Sequence, residues 1–230
     1  MERLTTLWPC FVLDKVFTHD DDPGFDDRLF EQAAEDAARN RVPDVNDPRA
    51  VGGANYIGHM RHNFLIEPRT PEKKKLAQMV QTQIRKYLYA VYRIEHDATI
   101  YMLSDTFHQK RSTGENCGIP THTHLKHDIV VNYYPRVVLD ENRKRDGFHS
   151  GCLRFYDPSG YGKRLWGNKN PNHHIGSWYS VEPCKGMMVV FEGHIPHDST
   201  YFDGEERMCI PILCRPHVEN GYTYAPIEEI

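Results

Sequence analysis

The chain has 230 residues and a formal net charge of −4 at pH 7. This length suits one well-packed domain, and the slight acidity excludes the strong basic field on which general nucleic-acid binding depends. The six cysteines form no C-x-x-C pair, so we expect reduced thiols in a cytoplasmic protein. The short apolar run at the start is broken by Pro9 and followed by Asp14 and Lys15, which predicts neither a signal peptide nor a membrane span.

The first part of the chain predicts one strand and two helices. Residues 7–17 fit an opening strand, and residues 26–40 carry apolar side chains at helical spacing. A second helix is predicted from Thr70, a capping residue followed by proline, to about residue 93. Its apolar stripe is expected to pack on a sheet, while Lys73, Lys74, Gln81 and Arg85 face away. The stripe consists of Leu76, Met79, Val80, Ile84, Tyr87, Leu88 and Val91.

From residue 98 onward the pattern changes to short strands separated by turns. Asp157-Pro158-Ser159-Gly160 and Asp203-Gly204 supply turn residues between them. Many short strands with few helices are typical of a sandwich or a jelly roll. The predicted strands are 98–104, 129–134, 152–156, 178–181, 187–191 and 208–213.

Two histidines lie two residues apart at the entrance of the predicted strand 129–134. Side chains at this spacing on an extended segment point to one face, so His122 and His124 can reach one metal ion. A distant third histidine would complete a facial site that leaves open positions on an octahedral metal, as non-haem iron enzymes require. His127 and Asp128 are competing ligands, and a carboxylate is the usual third ligand at such an iron.

The second half of the chain offers the distant histidine. An apolar run, residues 186–191, leads directly into a segment that contains His194 and His197. Arg207 follows ten residues after His197 and opens the next predicted strand. The planar guanidinium of an arginine beside a metal pocket suits a carboxylate co-substrate. The alternative is that Arg207 is a solvated charge paired with Glu205 or Glu206.

The order of these motifs resembles that of the iron(II)- and 2-oxoglutarate-dependent dioxygenases. Within that superfamily the chain looks most like bacterial and phage oxygenases in which a histidine pair precedes a Tyr-Tyr strand. The opening segment 7–12 also looks like the first strand of that group, and the resemblance is strongest from residue 120 to residue 212. The matching pieces are His122-Thr123-His124, Val130-Val131-Asn132-Tyr133-Tyr134, the segment from Ser150 to Pro158, and Val190-Phe191 through His197 to Arg207.

The resemblance implies a mainly β fold. We expect a double-stranded β-helix, a cupin-like jelly roll, with supporting N-terminal helices. Residues 1–230 would form a single domain, in which residues 1–95 support a β core made by residues 96–230.

The resemblance also implies roles for individual residues. His122 and His197 would bind iron(II), and Arg207 would hold the distal carboxylate of 2-oxoglutarate. Tyr134, or Tyr133 on the opposite face of the strand, would add a hydroxyl to that carboxylate.

The third ligand is where the chain departs from the superfamily, which usually has a carboxylate at the position of His124. Three histidines could hold the iron, Asp128 could replace His124, or His124 could only line the pocket. We favour His124, because strand alternation puts it beside His122. The spacing to Arg207 favours His197 over His194.

The activity implied by the resemblance consumes 2-oxoglutarate and O2 and releases succinate and CO2. The expected outcome is hydroxylation of an unactivated C–H bond in a small polar or amino-acid-like molecule, with desaturation or cyclisation as alternatives. Segments 56–62, 106–117 and 161–174 are expected to supply substrate contacts. No nucleic-acid or membrane partner is expected, and the protein would be a monomer or a homodimer.

Two other functions stay open at this point. A three-histidine iron dioxygenase, like the cupin thiol dioxygenases, would not use 2-oxoglutarate. A non-catalytic jelly-roll binding or structural protein would have histidines that bind zinc or no metal.

Overall fold

A computed structural model describes most of the chain as two helices and eleven strands. The described residues are 2–7, 10–39, 63–66, 69–94, 98–110, 119–140, 151–157, 178–200, 202 and 204–218. In chain order the elements are β1 (Glu2–Leu7), β2 (Cys10–Val16), α1 (Phe25–Arg39), α2 (Pro71–Tyr92), β3 (Ala98–Ser104), β4 (Phe107–Lys110), β5 (Ile119–His122), β6 (Ile129–Val138), β7 (Leu153–Tyr156), β8 (Trp178–Val181), β9 (Met187–Glu192), β10 (His197–Ser199) and β11 (Glu206–Val218).

The described strands form two antiparallel sheets. The larger sheet has the order β1-β2-β9-β6-β11-β3, and β4 pairs with the first part of the long strand β11. The smaller sheet has the order β5-β10-β7-β8. Strands that are neighbours in space are mostly distant in sequence, as a jelly roll requires.

The strands β6 and β9 read as continuous apolar runs because both of their faces are buried. On β6, Val131 and Tyr133 face the helices, whereas Val130 and Tyr134 face the space between the sheets. On β9, Val190 packs in the core beside the helices, whereas its neighbours along the strand pack in the core between the two sheets. The alternation follows from the two-residue period of a strand. It leaves a buried apolar region between the two sheets, next to β10.

Helix α2 begins and ends close to the predicted limits. The hydroxyl of Thr70 accepts a hydrogen bond from the backbone N–H of Lys73, Pro71 takes the first turn, and Arg93 ends the helix with a φ of 58°. The predicted stripe is confirmed, since most of its members are buried in the core between the helices and the larger sheet. Among the described residues, no helix has an apolar stretch sufficient to cross a membrane.

Lys73 contradicts its predicted orientation. Its side chain is buried, and Nζ lies 4.1 Å from the centre of the Phe64 ring. The ring face attracts the ammonium, and the aliphatic stem covers apolar surface. Burial lowers the pKa of Lys73. The helix pattern alone missed this contact because Phe64 lies outside every predicted element.

Four strands were not predicted, and the two long strands β6 and β11 were predicted too short. β1 forms a hairpin with β2, so the single strand expected over residues 7–17 is instead β2 with a separate partner before it. The short strands β4, β5 and β10 contain polar residues that weaken any apolar period. β11 extends from Glu206 to Val218 rather than over 208–213. β11 pairs first with β4 and then with β3, and it also pairs with β6. A strand that pairs with several partners along its length must be longer than one that pairs with a single strand.

Candidate metal centre

Three histidines come together where β5 and β10 pair. His122 ends β5 and lies directly opposite His197, the first residue of β10. His124 follows two residues after His122, and its backbone N–H donates a 2.7 Å hydrogen bond to the carbonyl of Gly193. One ring nitrogen of each histidine lies within 4.8 Å of those of the other two. The structure therefore brings the three predicted metal ligands into one cluster.

Hydrogen bonds to backbone carbonyls orient two of these rings. Nδ1 of His122 lies 2.8 Å from the Pro120 carbonyl oxygen, and Nδ1 of His197 lies 2.8 Å from that of Ile195. A carbonyl oxygen can only accept, so Nδ1 carries the proton in both rings. The lone pair on Nε2 is then free for a metal ion. Such carbonyl partners are the usual support of metal-binding imidazoles.

Burial disfavours the charged form of two of the three imidazoles, those of His124 and His197. Burial, followed by the nearby His197, lowers the pKa of His124 to about 3. Burial, followed by the nearby His122, lowers the pKa of His197 to about 4. Only a neutral imidazole can bind a metal. The cluster thus fits divalent iron, for which three imidazole nitrogens on one side are a suitable donor set.

The alternative ligands lie elsewhere. Asp128 is exposed and is not part of the histidine cluster. His194 lies in a turn after β9 and groups with Cys10 and Glu192 instead. The geometry therefore favours His124 over Asp128 and His197 over His194 as candidate ligands.

A network around Asp198 holds β10 in place. The Arg154 guanidinium donates to both carboxylate oxygens of Asp198, at 2.8 and 2.7 Å. The hydroxyls of Tyr156 and Thr121 also donate to this carboxylate. Asp198 thereby links the strand that carries His197 to both of its neighbours, β5 and β7.

Aromatic side chains pack on the other side of the cluster. The Phe191 ring lies 4.7 Å from the His197 ring in an edge-on arrangement, and Phe155 packs on Phe191 at 4.9 Å. Both phenylalanines are fully buried. They restrict the rotation of the His197 ring and exclude water from behind it.

Arg207 contacts β10, the strand that carries His197, and is only 2% exposed. Its guanidinium donates to Gln109 Oε1 at 2.7 Å, to Ser199 Oγ at 2.8 Å and to the carbonyl of Gly151. Ser199 is two residues from His197 on β10, so both side chains point to the same face. A Cβ on Gly151 would lie 2.7 Å from Arg207 Nη1, and this residue has a φ of 78°. A glycine is therefore needed where the guanidinium reaches the backbone.

The buried Arg207 does not fit the alternative of a solvated turn charge. Within the part of the chain that the structure describes, no carboxylate forms an ion pair with it, and Glu206 pairs with Arg136 and His108 instead. Burial lowers the pKa of Arg207, but a guanidinium stays charged at any ordinary pH. A buried cation held by neutral acceptors is prepared for an anionic ligand.

The two candidate tyrosines lie on opposite faces of β6. Tyr134 is buried between the sheets, near Arg207, and burial raises its pKa well above the usual range. Tyr133 instead points to the helices, where its hydroxyl bonds to Asp26 and His19. Strand alternation therefore directs the Tyr133 hydroxyl away from Arg207, and the geometry favours Tyr134 as the candidate beside it.

The predicted substrate segments are mostly outside the described residues. Segments 56–62 and 161–174 lie wholly outside them, as do residues 111–117 of the third segment. In the remainder of that segment, the Thr106 hydroxyl donates to Asp36 at 2.9 Å, and His108 pairs with Glu206.

Several residues of this region were missed in the sequence. Gln109 and Ser199 bind the Arg207 guanidinium, and Asp198 fixes β10. Ser199 was recognisable as the residue two positions after His197, on the same face of an extended segment. Gln109 could not be recognised from the sequence, because no sequence pattern links it to Arg207. The two residues meet only because β4 pairs with β11.

Gly193 permits the close approach of the loop that carries His124. A Cβ at this position would lie 2.0 Å from the His127 carbonyl oxygen and 2.8 Å from that of His124. We expect Gly193→Ala to displace this loop, at a cost of about 1–3 kcal/mol in unfolding free energy, and to weaken iron retention. Denaturant unfolding and bound-iron analysis measure both effects.

Gly24→Ala is the matched control for Gly193→Ala. The added Cβ there would meet only the end of the flexible Arg28 side chain, so stability and iron retention should stay near those of the unchanged protein. An alanine at position 193 that retained iron fully would contradict the role of this contact.

Comparisons with known proteins identify the fold. No protein-family model and no curated protein matches the chain. AviO1 from Streptomyces viridochromogenes Tue57 is similar with a TM-score of 0.55 and 15% identity, covering 94% of this chain and 92% of that one. The non-haem α-ketoglutarate-dependent epimerase SnoN from nogalamycin biosynthesis has a TM-score of 0.55 and 10% identity, covering 89% and 77%. A prolyl-4-hydroxylase from Pseudomonas putida has a TM-score of 0.52 and 13% identity, covering 89% and 91%.

The predicted resemblance and fold class are thereby confirmed. Two prolyl hydroxylases and a non-haem α-ketoglutarate-dependent epimerase are structural neighbours over most of the chain. The fold is their double-stranded β-helix, mainly β with two supporting N-terminal helices. At such low identities the likeness defines the fold, and the histidine cluster is the feature of this chain that bears on activity.

Proposed function

We propose that the protein is an iron(II)- and 2-oxoglutarate-dependent dioxygenase. The observation that carries this proposal is a cluster of three imidazoles, together with a buried guanidinium that contacts the strand of His197 and has no described carboxylate partner. The cluster suits a divalent metal, and the guanidinium suits the anionic end of a keto acid. Both are needed for this class of enzyme.

Each residue then has a defined role. His122, His124 and His197 hold iron(II) through their ring nitrogens. Arg207 binds the distal carboxylate of 2-oxoglutarate, with Tyr134 as a further hydroxyl donor. When bound, iron(II), 2-oxoglutarate and O2 supply the oxidising chemistry, which yields succinate, CO2 and an oxidised product.

The protein contributes alignment and a dry pocket. His197 and Ser199 lie on one short strand, so the position of the metal is coupled to that of the Arg207 guanidinium. The bonds to Asp198 keep this strand from sliding. Phe155 and Phe191 exclude water behind His197. The Arg207 guanidinium is buried with its centre 5.1 Å from the Phe202 ring, and such low-dielectric surroundings strengthen its attraction to a carboxylate. Such prior alignment lowers the entropic cost of reaching the reactive arrangement.

The proposed substrate is a small polar or amino-acid-like molecule that is hydroxylated at an unactivated C–H bond. Desaturation or cyclisation would use the same site with a different substrate position. We propose that the protein acts in the cytoplasm as a monomer or a homodimer, without nucleic-acid or membrane partners.

A second candidate function rests on His124. Where the superfamily usually has a carboxylate ligand, this chain brings a third imidazole into the cluster. A three-histidine iron dioxygenase that does not use 2-oxoglutarate would have such a centre. In that enzyme Arg207 would not bind a co-substrate, and 2-oxoglutarate would not alter the spectrum or the turnover. A non-catalytic metal-binding protein would show no response to 2-oxoglutarate either.

An anaerobic titration separates these functions. We expect 2-oxoglutarate added to the iron(II)-loaded protein to produce the visible charge-transfer band of a chelated keto acid. Succinate, which lacks the keto group, is the matched control and should produce no band. An iron-loaded protein that stayed colourless with excess 2-oxoglutarate would exclude the proposed activity and leave the two alternatives.

A further inference from the structure

A second group of metal-ligating side chains lies outside the histidine cluster. Cys10 begins β2, Glu192 ends β9, and the antiparallel pairing of these strands brings them together. His194 reaches them from the turn that follows β9. The Cys10 sulfur, a Glu192 oxygen and a His194 nitrogen all lie within 4.8 Å of one another.

The two separations from His194 in this group match a tetrahedral metal site. Nε2 of His194 lies 3.6 Å from the Cys10 sulfur and 3.6 Å from Oε2 of Glu192. Zinc bonds of about 2.3 Å to sulfur and about 2.0–2.2 Å to nitrogen or oxygen place tetrahedral ligands roughly 3.4–3.6 Å apart. An ion can therefore contact these three atoms with little movement of the side chains.

The Glu192 carboxylate is already oriented for this purpose. The Tyr92 hydroxyl donates to Oε1, so the other oxygen is the one directed to His194. Cys10 and Glu192 are buried, whereas the His194 side chain is 55% exposed. An ion can enter from the solvent beside His194, and water can complete the coordination on that side.

We propose that Cys10, Glu192 and His194 form a second metal site that binds zinc(II). One sulfur, one nitrogen and one carboxylate oxygen are the ligand types that zinc accepts together. The thiolate and the carboxylate would balance the charge of a divalent cation. This site does not depend on the proposed dioxygenase activity, because it shares no residue with the histidine cluster.

The same three residue types could instead form a nucleophilic cysteine site. A reactive cysteine needs a thiol with a lowered pKa, usually beside positive charge. Here burial, followed by the Glu192 carboxylate, raises the pKa of Cys10 to about 11. The negative carboxylate disfavours the thiolate form and therefore a nucleophilic role for Cys10. A carboxylate beside a cysteine is ordinary where both side chains bind one cation.

Cobalt(II) distinguishes the two metal sites in the full-length, metal-free protein. Cobalt bound to a thiolate has an intense near-ultraviolet charge-transfer band, which cobalt at three histidines lacks. We expect this band in the unchanged protein and in His122→Ala, and its displacement by added zinc(II). Cys10→Ser should abolish it, whereas Cys184→Ser, which alters an exposed cysteine away from the group, should retain it.

His194→Ala is expected to leave folding intact, because the side chain is largely exposed. We expect the affinity for cobalt(II), measured by titration of the thiolate band, to fall at least tenfold. The midpoint of thermal unfolding of the metal-free protein should not change. No thiolate band in the unchanged protein, or a band that persists in Cys10→Ser, would overturn the second site. Neither result bears on iron at the histidine cluster.

Discussion

Arg207→Ala is expected to raise the dissociation constant for 2-oxoglutarate by roughly 30-fold to several thousand-fold. Loss of one partner from a buried, hydrogen-bonded charge pair costs about 2–5 kcal/mol, and each 1.4 kcal/mol is about tenfold in affinity. The guanidinium is 2% exposed and is held by neutral acceptors, so no solvent screening weakens its attraction to a carboxylate. Anaerobic titration of the charge-transfer band measures the change directly.

Two further variants make this result specific. Arg136→Ala removes a half-exposed guanidinium that pairs with Glu206, and such a pair contributes about 0–1 kcal/mol, so 2-oxoglutarate binding should hardly change. Arg207→Lys keeps the charge but loses the planar fork, and we expect an intermediate affinity. Iron binding should survive in all three variants. If Arg207→Ala bound 2-oxoglutarate as tightly as the unchanged protein, Arg207 would not be its anchor.

The regular elements could be predicted because their patterns are local. Helix α2 combines a threonine cap, a proline in the first turn and a long apolar stripe, and each of these signals lies within one segment. Strand β9 is a continuous apolar run, which is typical of a strand buried on both faces. Strand β10 has three residues, and one of them is charged. Only its pairing with β5 and β7 makes it a strand.

The candidate site could be predicted where strand alternation or spacing constrained it. His122 and His124 share a cluster as their i, i+2 spacing suggested, and the same rule separates Tyr134 from Tyr133. The partners of Arg207 could not be predicted, since Gln109 reaches it only through the pairing of β4 with β11. Residues of this kind are brought together by topology, which a single sequence does not express as a periodic pattern.

His124→Ala is expected to reduce iron(II) affinity by at least about 100-fold. Loss of a residue that merely supports a ligand typically costs 10–100-fold, and loss of a ligand itself should cost more. Asp128→Ala should have little effect, because that side chain is exposed and lies outside the cluster. His127→Ala controls for the removal of a neighbouring imidazole from the same loop. Iron retained after gel filtration, and anaerobic iron titration, measure each affinity.

The opposite pattern would change the assignment of the metal centre. If Asp128→Ala released iron and His124→Ala retained it, the carboxylate would be the third ligand, and the loop between them would have to move on metal binding. His124→Asp adds a decisive comparison, because it restores the two-histidine and one-carboxylate donor set that suits iron(II). We expect this variant to retain iron while His124→Ala loses it, since the backbone bond from residue 124 to Gly193 is unchanged in both. Retention by aspartate but not by alanine would place residue 124 in direct contact with the metal.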